Sequence, residues 1–235
     1  MRPKEYRIKE LLRKKGLDGA IVSSPENFHY VTGFGGHQHT VSRQPGFTLA
    51  VMRADDKVPT HLTTMDFEAA TFRIKAAGLN FVVDPYDTWV GLKTWDEIAH
   101  GAVVPDKTAM ESSMDKLVQF MKACDLANKK VGIELDYLPV PYYKSLTEKF
   151  PEAEFVDISD LFVYARSVKQ PDEIEMFRKL CRIADHGFTE VSKIAKIGVS
   201  ERELVQCFRE DVIKSGFCAP SSWSMFSTGP SSARL

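Results

Sequence analysis

Residues 17–33 read LDGAIVSSPENFHYVTG, and this stretch decides the fold. Its first half, LDGAIVSS, is a short run rich in residues that favour a β-strand. Ser24 suits the position that caps a helix, and Pro25 suits the first turn because its nitrogen has no hydrogen to leave unpaired. The stretch therefore predicts a strand that passes directly into a brief helix, ENFHYVTG.

The same alternation of strand and helix recurs on both sides of this stretch, without an exact internal repeat. An N-terminal helix is predicted over residues 4–16, where Gly16 ends it. An alternation of this kind predicts helices packed on both faces of a sheet, the α/β class. Further strands are predicted at residues 59–64, 79–84, 129–136 and 153–159, and further helices at residues 65–78, at residues 140–150 and around Leu117, Phe120, Met121 and Cys124. Trp89 and Trp95 are interpreted as packing or interface residues.

The pattern changes after about residue 165. Apolar residues then step by three or four, which predicts a long helix from Pro171 to a stop at Gly198. Ser200 and Glu203 form a capping box that opens a second helix, which ends at Gly216. The final segment is predicted to be strand-like from Trp223 to Phe226. These roughly 70 residues would make a poor core on their own, so the second domain looks incomplete.

Composition argues against several classes of function. The chain has 31 basic and 32 acidic residues, which gives no general attraction to nucleic acid or to anionic lipid. No apolar run approaches the roughly 20 residues that span a bilayer, and the N-terminus lacks the pattern of a signal peptide. The four cysteines form no CxxC pair and are too sparse for a disulfide scaffold. We expect a cytoplasmic protein with no nucleic-acid or membrane partner.

Three segments together resemble the creatinase, aminopeptidase P and prolidase family: SSPENFHYVTGF (residues 23–34), ARSVKQPDEIEMFRKLCRIAD (165–185) and MFSTGPSSA (225–233). The first carries an asparagine-aromatic-Tyr-x-Thr-Gly pattern, and the second matches a linker pattern R-x-x-K-x-x-x-E-I. The matching residues are Asn27, Phe28, Tyr30, Thr32 and Gly33 in the first pattern and Arg166, Lys169, Glu173 and Ile174 in the second.

This resemblance implies a domain organisation. Residues 1–164 would form a creatinase-like N-terminal domain, with a mixed sheet flanked by helices. Residues 165–235 would be the linker and the first part of an α+β domain of the pita-bread fold, which is incomplete here. A homodimer is implied as well.

The resemblance also implies a chemistry that this chain does not complete. Family members bind two divalent metals, usually Mn²⁺, Co²⁺ or Zn²⁺, through two aspartates, a histidine and two glutamates. All of these would follow Leu235, so no residue is assigned as a catalytic residue or a metal ligand, and we expect the chain alone to be inactive. Asp185, His186 and Asp211 are interpreted as residues on helix surfaces.

The segment YVTGFGGHQHTVSRQPGF, residues 30–47, holds the candidate binding residues. His37 and His39 would share one face if they lay on a strand, so they raise the question of a bound metal ion. Two ligands do not make a site, and a loop facing solvent or the substrate pocket is favoured instead. The glycines of GFGG lack the spacing of a phosphate-binding loop and are better explained by a turn.

Arg43 is the stronger candidate for a substrate-binding residue in this segment. A planar guanidinium binds a carboxylate through two parallel hydrogen bonds, which fixes its orientation as well as its charge. In creatinase-like members, a context similar to RQPGF (residues 43–47) carries an arginine that reaches the substrate carboxylate in the partner subunit's active site. The alternative is an ordinary surface ion pair. The predicted substrate-binding residues are therefore Arg43, His37 and His39.

Three functions remain open. The resemblance favours the N-terminal part of a dinuclear metallohydrolase, an Xaa-Pro aminopeptidase or dipeptidase, acting on a peptide. A second possibility is a creatinase-type enzyme that hydrolyses a C–N bond of a small carboxylate compound. The third is a relative of pita-bread architecture that binds peptides or proteins without catalysis.

Overall fold

The computed structural model describes residues 4–88, 94–101 and 112–216. The chain divides into two compact units, Met1–Ser167 and Val168–Leu235. Within the described residues, the first unit contains six strands, eight α-helices and a short 3-10 turn at Asp66–Glu68. The strands are β1 (Gly19–Val22), β2 (Leu49–Arg53), β3 (Thr60–Thr63), β4 (Phe81–Val83), β5 (Lys130–Ile133) and β6 (Glu154–Asp157). The helices are α1 (Glu5–Lys14), α2 (Pro25–Thr32), α3 (His37–Val41), α4 (Ala69–Ala76), α5 (Trp95–Ala99), α6 (Ser113–Ala123), α7 (Val140–Lys149) and α8 (Ser159–Ser167).

The six strands form one mixed sheet in the order β4-β3-β2-β1-β5-β6. Strand β1 pairs with β2 in antiparallel orientation, with Gly19 opposite Arg53, and with β5 in parallel orientation, with Gly19 opposite Val131. The β2–β3 pair is antiparallel, and the β3–β4 and β5–β6 pairs are parallel. The predicted α/β class, a mixed sheet flanked by helices, is therefore confirmed.

Each face of the sheet is covered by its own group of helices. Because successive side chains of a strand point to opposite faces, Ala20 and Val22 of β1 join one core and Ile21 joins the other. The first core takes its helical residues from α1, α2, α4 and α8, including Leu12 and Phe28. The second core takes them from α6 and α7. Both faces of β1 are thus buried, which explains its nearly continuous apolar sequence.

The junction between β1 and α2 is held in place by a buried carboxylate that follows the neighbouring strand, β5. Glu134 follows β5 directly, and its side chain is fully buried. It accepts hydrogen bonds from the backbone N–H groups and hydroxyls of Ser23 and Ser24, and from the side-chain amide of Asn27. Burial raises the pKa of Glu134, and these hydrogen bonds oppose that rise by favouring the charged form. The carboxylate therefore replaces water for the backbone donors that immediately precede α2, and through the side chain of Asn27 it ties α2 to β5.

The second unit is described for two helices, α9 (Pro171–Ile194) and α10 (Glu201–Lys214). Helix α10 begins with the predicted capping box of Ser200 and Glu203. Helix α9 begins at Pro171 as predicted but ends at Ile194, four residues before the predicted stop, because Ala195 has extended backbone geometry with ψ near 103°.

The two helices pack through Phe188 and Phe208, whose ring centroids lie 5.1 Å apart. They also meet through a polar pair: the imidazole Nδ1 of His186 lies 2.7 Å from Oδ2 of Asp211. Asp211 is 9% exposed, so its interpretation as a helix-surface residue is wrong. Its carboxylate raises the pKa of the exposed His186 through the hydrogen bond and the opposite charge.

Several other predictions have clear outcomes. Strands and helices form where the sequence predicts them between residues 4 and 16, 59 and 83, and 130 and 157, but β2 was not predicted. Trp95 is 85% exposed and so packs in neither core, whereas Trp89 and the predicted strand at 223–226 lie outside the described residues. Among the described helices, none combines the length and apolar character needed to cross a membrane.

We predict that Glu134→Gln lowers the free energy of unfolding by about 3 kcal/mol, because an amide nitrogen cannot accept the hydrogen bonds and leaves buried donors unpaired. Urea denaturation followed by circular dichroism measures this change. Glu154→Gln is the matched control, since Glu154 forms an exposed pair with Lys130 and should change stability by no more than about 0.5 kcal/mol. A loss below about 1 kcal/mol in Glu134→Gln would show that the buried carboxylate does not fasten the junction.

Candidate functional site

The candidate segment, residues 30–47, begins in α2, and its part after the helix, residues 33–47, starts at the C-terminal end of α2. Gly33 ends the helix in the left-handed conformation, with φ of 81°, and its N–H donates to the carbonyl of His29 at 2.8 Å. Phe34 then turns back into the core, where its ring meets that of Phe72 edge-on at 5.3 Å between centroids. The hydroxyl of Thr32 lies 2.7 Å from the carbonyl of Phe34. The start of the segment is therefore fixed by packing and not left as a free loop.

Helix α3 is held by a second buried acid, Glu68. Its Oε1 accepts a hydrogen bond from the backbone N–H of Gln38 at 2.9 Å, and its Oε2 accepts one from the hydroxyl of Thr64 at 3.0 Å. Gly36 lies so close to this carboxylate that a methyl group on its Cα would overlap the carboxylate oxygens. A glycine is therefore required at position 36 for α3 to reach Glu68.

The two histidines lie on a short helix, which is neither the strand that would place them on one face nor the loop that the sequence favours. His37 and His39 belong to α3, where residues two apart are separated by about 200° around the helix axis. His37 is exposed, whereas His39 is 1% exposed. The two imidazoles therefore point in different directions and cannot share an ion through a common face. The physical reason is that Gly36 and Glu68 start a helical turn at this point.

His39 packs in the interior as a neutral side chain. Its Nε2 lies 2.8 Å from the carbonyl of Ser23, and its ring meets that of Phe28 edge-on at 5.5 Å between centroids. Burial lowers the pKa of His39, although the hydrogen bond to Ser23 acts in the opposite direction. Because Ser23 also donates to Glu134, His39 attaches α3 to the same β1–α2 junction.

Arg43 is exposed, and its guanidinium is already paired with a carboxylate. Its Nη1 and Nη2 both donate to the carboxylate of Glu26, which lies in the first turn of α2; the Nη2–Oε2 distance is 3.3 Å. This pair lowers the pKa of Glu26, with the hydrogen bond from Arg43 as the largest cause. The side chains of Arg43 and Glu26 remain 53% and 42% exposed. Within the part of the chain that the structure describes, Glu26 is the one acid paired with Arg43.

The backbone around Arg43 is fixed by three tyrosine hydroxyls. Arg43 has a positive φ of 49°, which is uncommon for a residue with a side chain. Tyr137 donates to the carbonyl of Arg43 at 2.9 Å, Tyr142 to that of Gly46 at 3.4 Å, and Tyr86 to that of Phe47 at 2.8 Å. The segment thus presents an exposed cationic side chain on a backbone that other elements hold in place.

The sequence did not identify the residues that organise this segment. Glu26, Glu68 and the three tyrosines were not predicted to contact it. Glu26 carries a weak signal, since an acid in the first turn of a helix faces outward where a nearby cation can pair with it. For the tyrosines, no local signal exists, because Tyr137 is 94 residues from its partner Arg43.

The described residues do not provide a metal site. Among them, no three histidine, cysteine, aspartate or glutamate side chains lie close enough together to hold an ion. The two divalent metals implied by the resemblance therefore have no ligand set in this part of the chain. What the arrangement offers chemically is a guanidinium with one edge bound to Glu26 and the rest open to solvent.

Comparison with known proteins identifies related chains. Residues 6–168 match the Creatinase/Prolidase N-terminal domain family. An uncharacterized hydrolase/peptidase of Sinorhizobium fredii is 25% identical over 190 residues, which cover 80% of this chain and 43% of that protein. An Xaa-Pro dipeptidase of Lactobacillus delbrueckii subsp. lactis is 24% identical over 200 residues, 85% of this chain and 46% of that protein. The chain thus spans somewhat less than half the length of these relatives.

A solved structure agrees with these matches at the level of the fold. The Xaa-Pro dipeptidase from Bacillus anthracis superimposes with a TM-score of 0.64 at 20% sequence identity, covering 92% of this chain and 50% of that one. At this identity the likeness establishes a shared fold and nothing about the reaction.

We predict that His39 makes stability depend on pH. Because its pKa is lowered in the folded state, the unfolded chain takes up a proton below about pH 6.5 that the folded chain excludes. Stability should therefore fall as the pH drops from 7.5 to 5.5, and His39→Gln should remove about 1 kcal/mol of that fall. Urea denaturation at pH 7.5, 6.5 and 5.5 measures the difference in slope.

The control for this prediction is His37→Gln, which removes an exposed imidazole from the same helix without disturbing the core. Equal pH slopes in His39→Gln and the unsubstituted protein would contradict the prediction.

Proposed function

The chain belongs to the Creatinase/Prolidase N-terminal domain family, and we propose that it is the N-terminal part of a dinuclear metallohydrolase that cleaves the bond before proline in a peptide. The match over residues 6–168 is the observation that carries the proposal. The relatives include a named Xaa-Pro dipeptidase, whose reaction is extended to this chain as part of the proposal.

In this proposal the described residues do not break the bond. The metals would supply a water of lowered pKa and a polarised carbonyl, but no ligand set for them exists among the described side chains. We therefore assign bond cleavage to a catalytic domain. To the first unit we assign three other roles: forming one wall of the substrate cleft, limiting the length of the substrate and contributing to dimerisation.

Arg43 is the residue proposed to contact the substrate. A guanidinium has five N–H donors, and the pair with Glu26 engages Nη1 and Nη2. The edge formed by Nε and Nη2 can donate two hydrogen bonds to a second carboxylate, which would lie beside the first. We assign to Glu26 the role of orienting Arg43 and to Arg43 the role of binding the substrate carboxylate in the active site of a second copy of the chain.

The two histidines receive different roles. His37 is exposed at the start of α3 and is proposed to line the substrate path with Arg43. His39 is buried against Phe28, so its proposed contribution is to position α3 and not to touch the substrate.

Activity of the intact native protein tests the proposal against its alternatives. With Mn²⁺ present, hydrolysis of Xaa-Pro dipeptides supports it. Hydrolysis of creatine instead supports the creatinase-type reaction on a small carboxylate compound, which the family description also covers. Binding of Xaa-Pro peptides without turnover, in the presence of each of Mn²⁺, Co²⁺ and Zn²⁺, supports a non-catalytic binding protein.

We predict that Arg43→Ala in the active protein raises KM for Xaa-Pro dipeptides at least about tenfold, because a charge-assisted pair with the carboxylate is lost. Arg43→Lys should give an intermediate KM, since it keeps the charge but not the planar fork. Dipeptide amides, which lack the carboxylate, should show the same KM in all variants.

The control is Arg73→Ala, which removes an exposed arginine from α4. An unchanged KM for the free dipeptide in Arg43→Ala would show that Arg43 does not bind the substrate.

A further inference from the structure

A surface depression of about 530 Å³ lies where α2 and α4 end. His29 in the last turn of α2 and Lys75 in the last turn of α4 both line it. Thr40 of α3 and Leu79 are also among the residues that line it. This depression contains neither Arg43 nor Glu26 and is separate from the substrate contact proposed above.

The depression has a positive charge that no lining residue neutralises. Its lining contains Lys75 and His29 but no aspartate or glutamate. Among the described residues, no ion pair or side-chain hydrogen bond is formed by either group. The pKa of His29 is lowered first by burial and then by the positive charges of Lys75 and Lys4. Lys75 and His29 thus line the same depression without an acidic residue between them in its lining.

Two potential hydrogen-bond donors converge beside Gly35 in the wall of this depression. A methyl group placed on Gly35 would lie 3.1 Å from the hydroxyl oxygen of Thr40 and 3.8 Å from Nδ1 of His29. Thr40 is an exposed residue, and its hydroxyl has no hydrogen-bond partner among the described residues. The absence of a side chain at Gly35 thus leaves open the space between these two groups.

We propose that this depression binds a small oxyanion, a phosphate or carboxylate group, between the ammonium of Lys75 and the imidazole of His29. The hydroxyl of Thr40 supplies a further hydrogen bond. Such a group is compact, carries negative charge and accepts several hydrogen bonds, which is what these three side chains can provide.

The depression has room for a ligand larger than an inorganic ion. A volume of 530 Å³ lies within the range of sites for small organic molecules. Leu79, which is 38% exposed, offers an apolar contact at the rim. We therefore assign the site to a small organic acid or phosphate ester whose anionic group lies against Lys75 and His29.

A simpler explanation exists for the positions of Lys75 and His29. Helix C-termini carry partial negative charge, which favours a lysine or histidine in the last turn without any ligand. This explanation predicts that anions change the pKa of His29 only through general screening of charge. A measurement in solution can therefore distinguish the two explanations. The test needs no substrate and is independent of the proposed hydrolase activity.

The experiment follows the pKa of His29 by NMR in protein labelled with ¹³C-histidine, with His29→Gln used to assign the signal. Titrations in 50 mM phosphate, 50 mM acetate and chloride are compared at equal ionic strength. A bound anion favours the protonated imidazole, so we expect the pKa to rise by at least about 0.3 units in phosphate relative to chloride. A similar rise in acetate would extend the site to carboxylates.

Lys75→Gln should abolish the rise, whereas the control Lys57→Gln, on an exposed turn, should retain it. Equal pKa values of His29 in phosphate, acetate and chloride would overturn the proposal. So would a rise that persists unchanged in Lys75→Gln, because the anion would then be bound elsewhere.

Discussion

The buried carboxylate of Glu134 is the interaction on which the first unit depends. It accepts hydrogen bonds from Ser23, Ser24 and Asn27 at the point where β1 becomes α2. A charged group in the interior is costly unless its oxygens are fully hydrogen-bonded, and these donors would themselves be unpaired without it. The carboxylate supplies the acceptor that the donors need, and the donors supply the hydrogen bonds that the carboxylate needs. Because Glu134 follows β5, this strand sets the direction in which α2 leaves the sheet. His39 and Phe28 then extend this fixed junction to α3.

The local features of the fold could be predicted from the sequence, and the long-range ones could not. The cap at Ser24 and the helix ends at Gly33 and Gly216 follow from the backbone preferences of single residues. Helix α3 was not predicted, since the spacing of HQH fits a strand or a turn of helix equally well. The choice was made by Glu68, a residue 30 positions from the backbone group that it binds. The one local sign of this contact is Gly36, whose lack of a side chain leaves room for the Glu68 carboxylate, and a glycine alone does not predict a helix.

The candidate site shows the same division. Arg43 was identified from its type and from the family resemblance, but its pairing with Glu26 and its positive φ were not. The tyrosines that bind the surrounding carbonyls come from β5–α7 and from the region after β4. The result is a long, exposed side chain on a restrained backbone. Because this backbone is already ordered, Arg43 loses less conformational entropy on binding a ligand than an arginine on a flexible loop would, which suits a role in binding.

The separation in sequence between Glu134 and its donors also has a consequence for synthesis of the chain. Ser23 leaves the ribosome 111 residues before Glu134, an interval of roughly 5 to 20 s at usual rates of translation. During that interval β1 can pair with β2, and β2 with β3, but the backbone N–H groups of Ser23 and Ser24 have only water as an acceptor in place of Glu134. Until β5 emerges, one edge of β1 therefore lacks its partner strand, and the β1–α2 junction lacks its native acceptor.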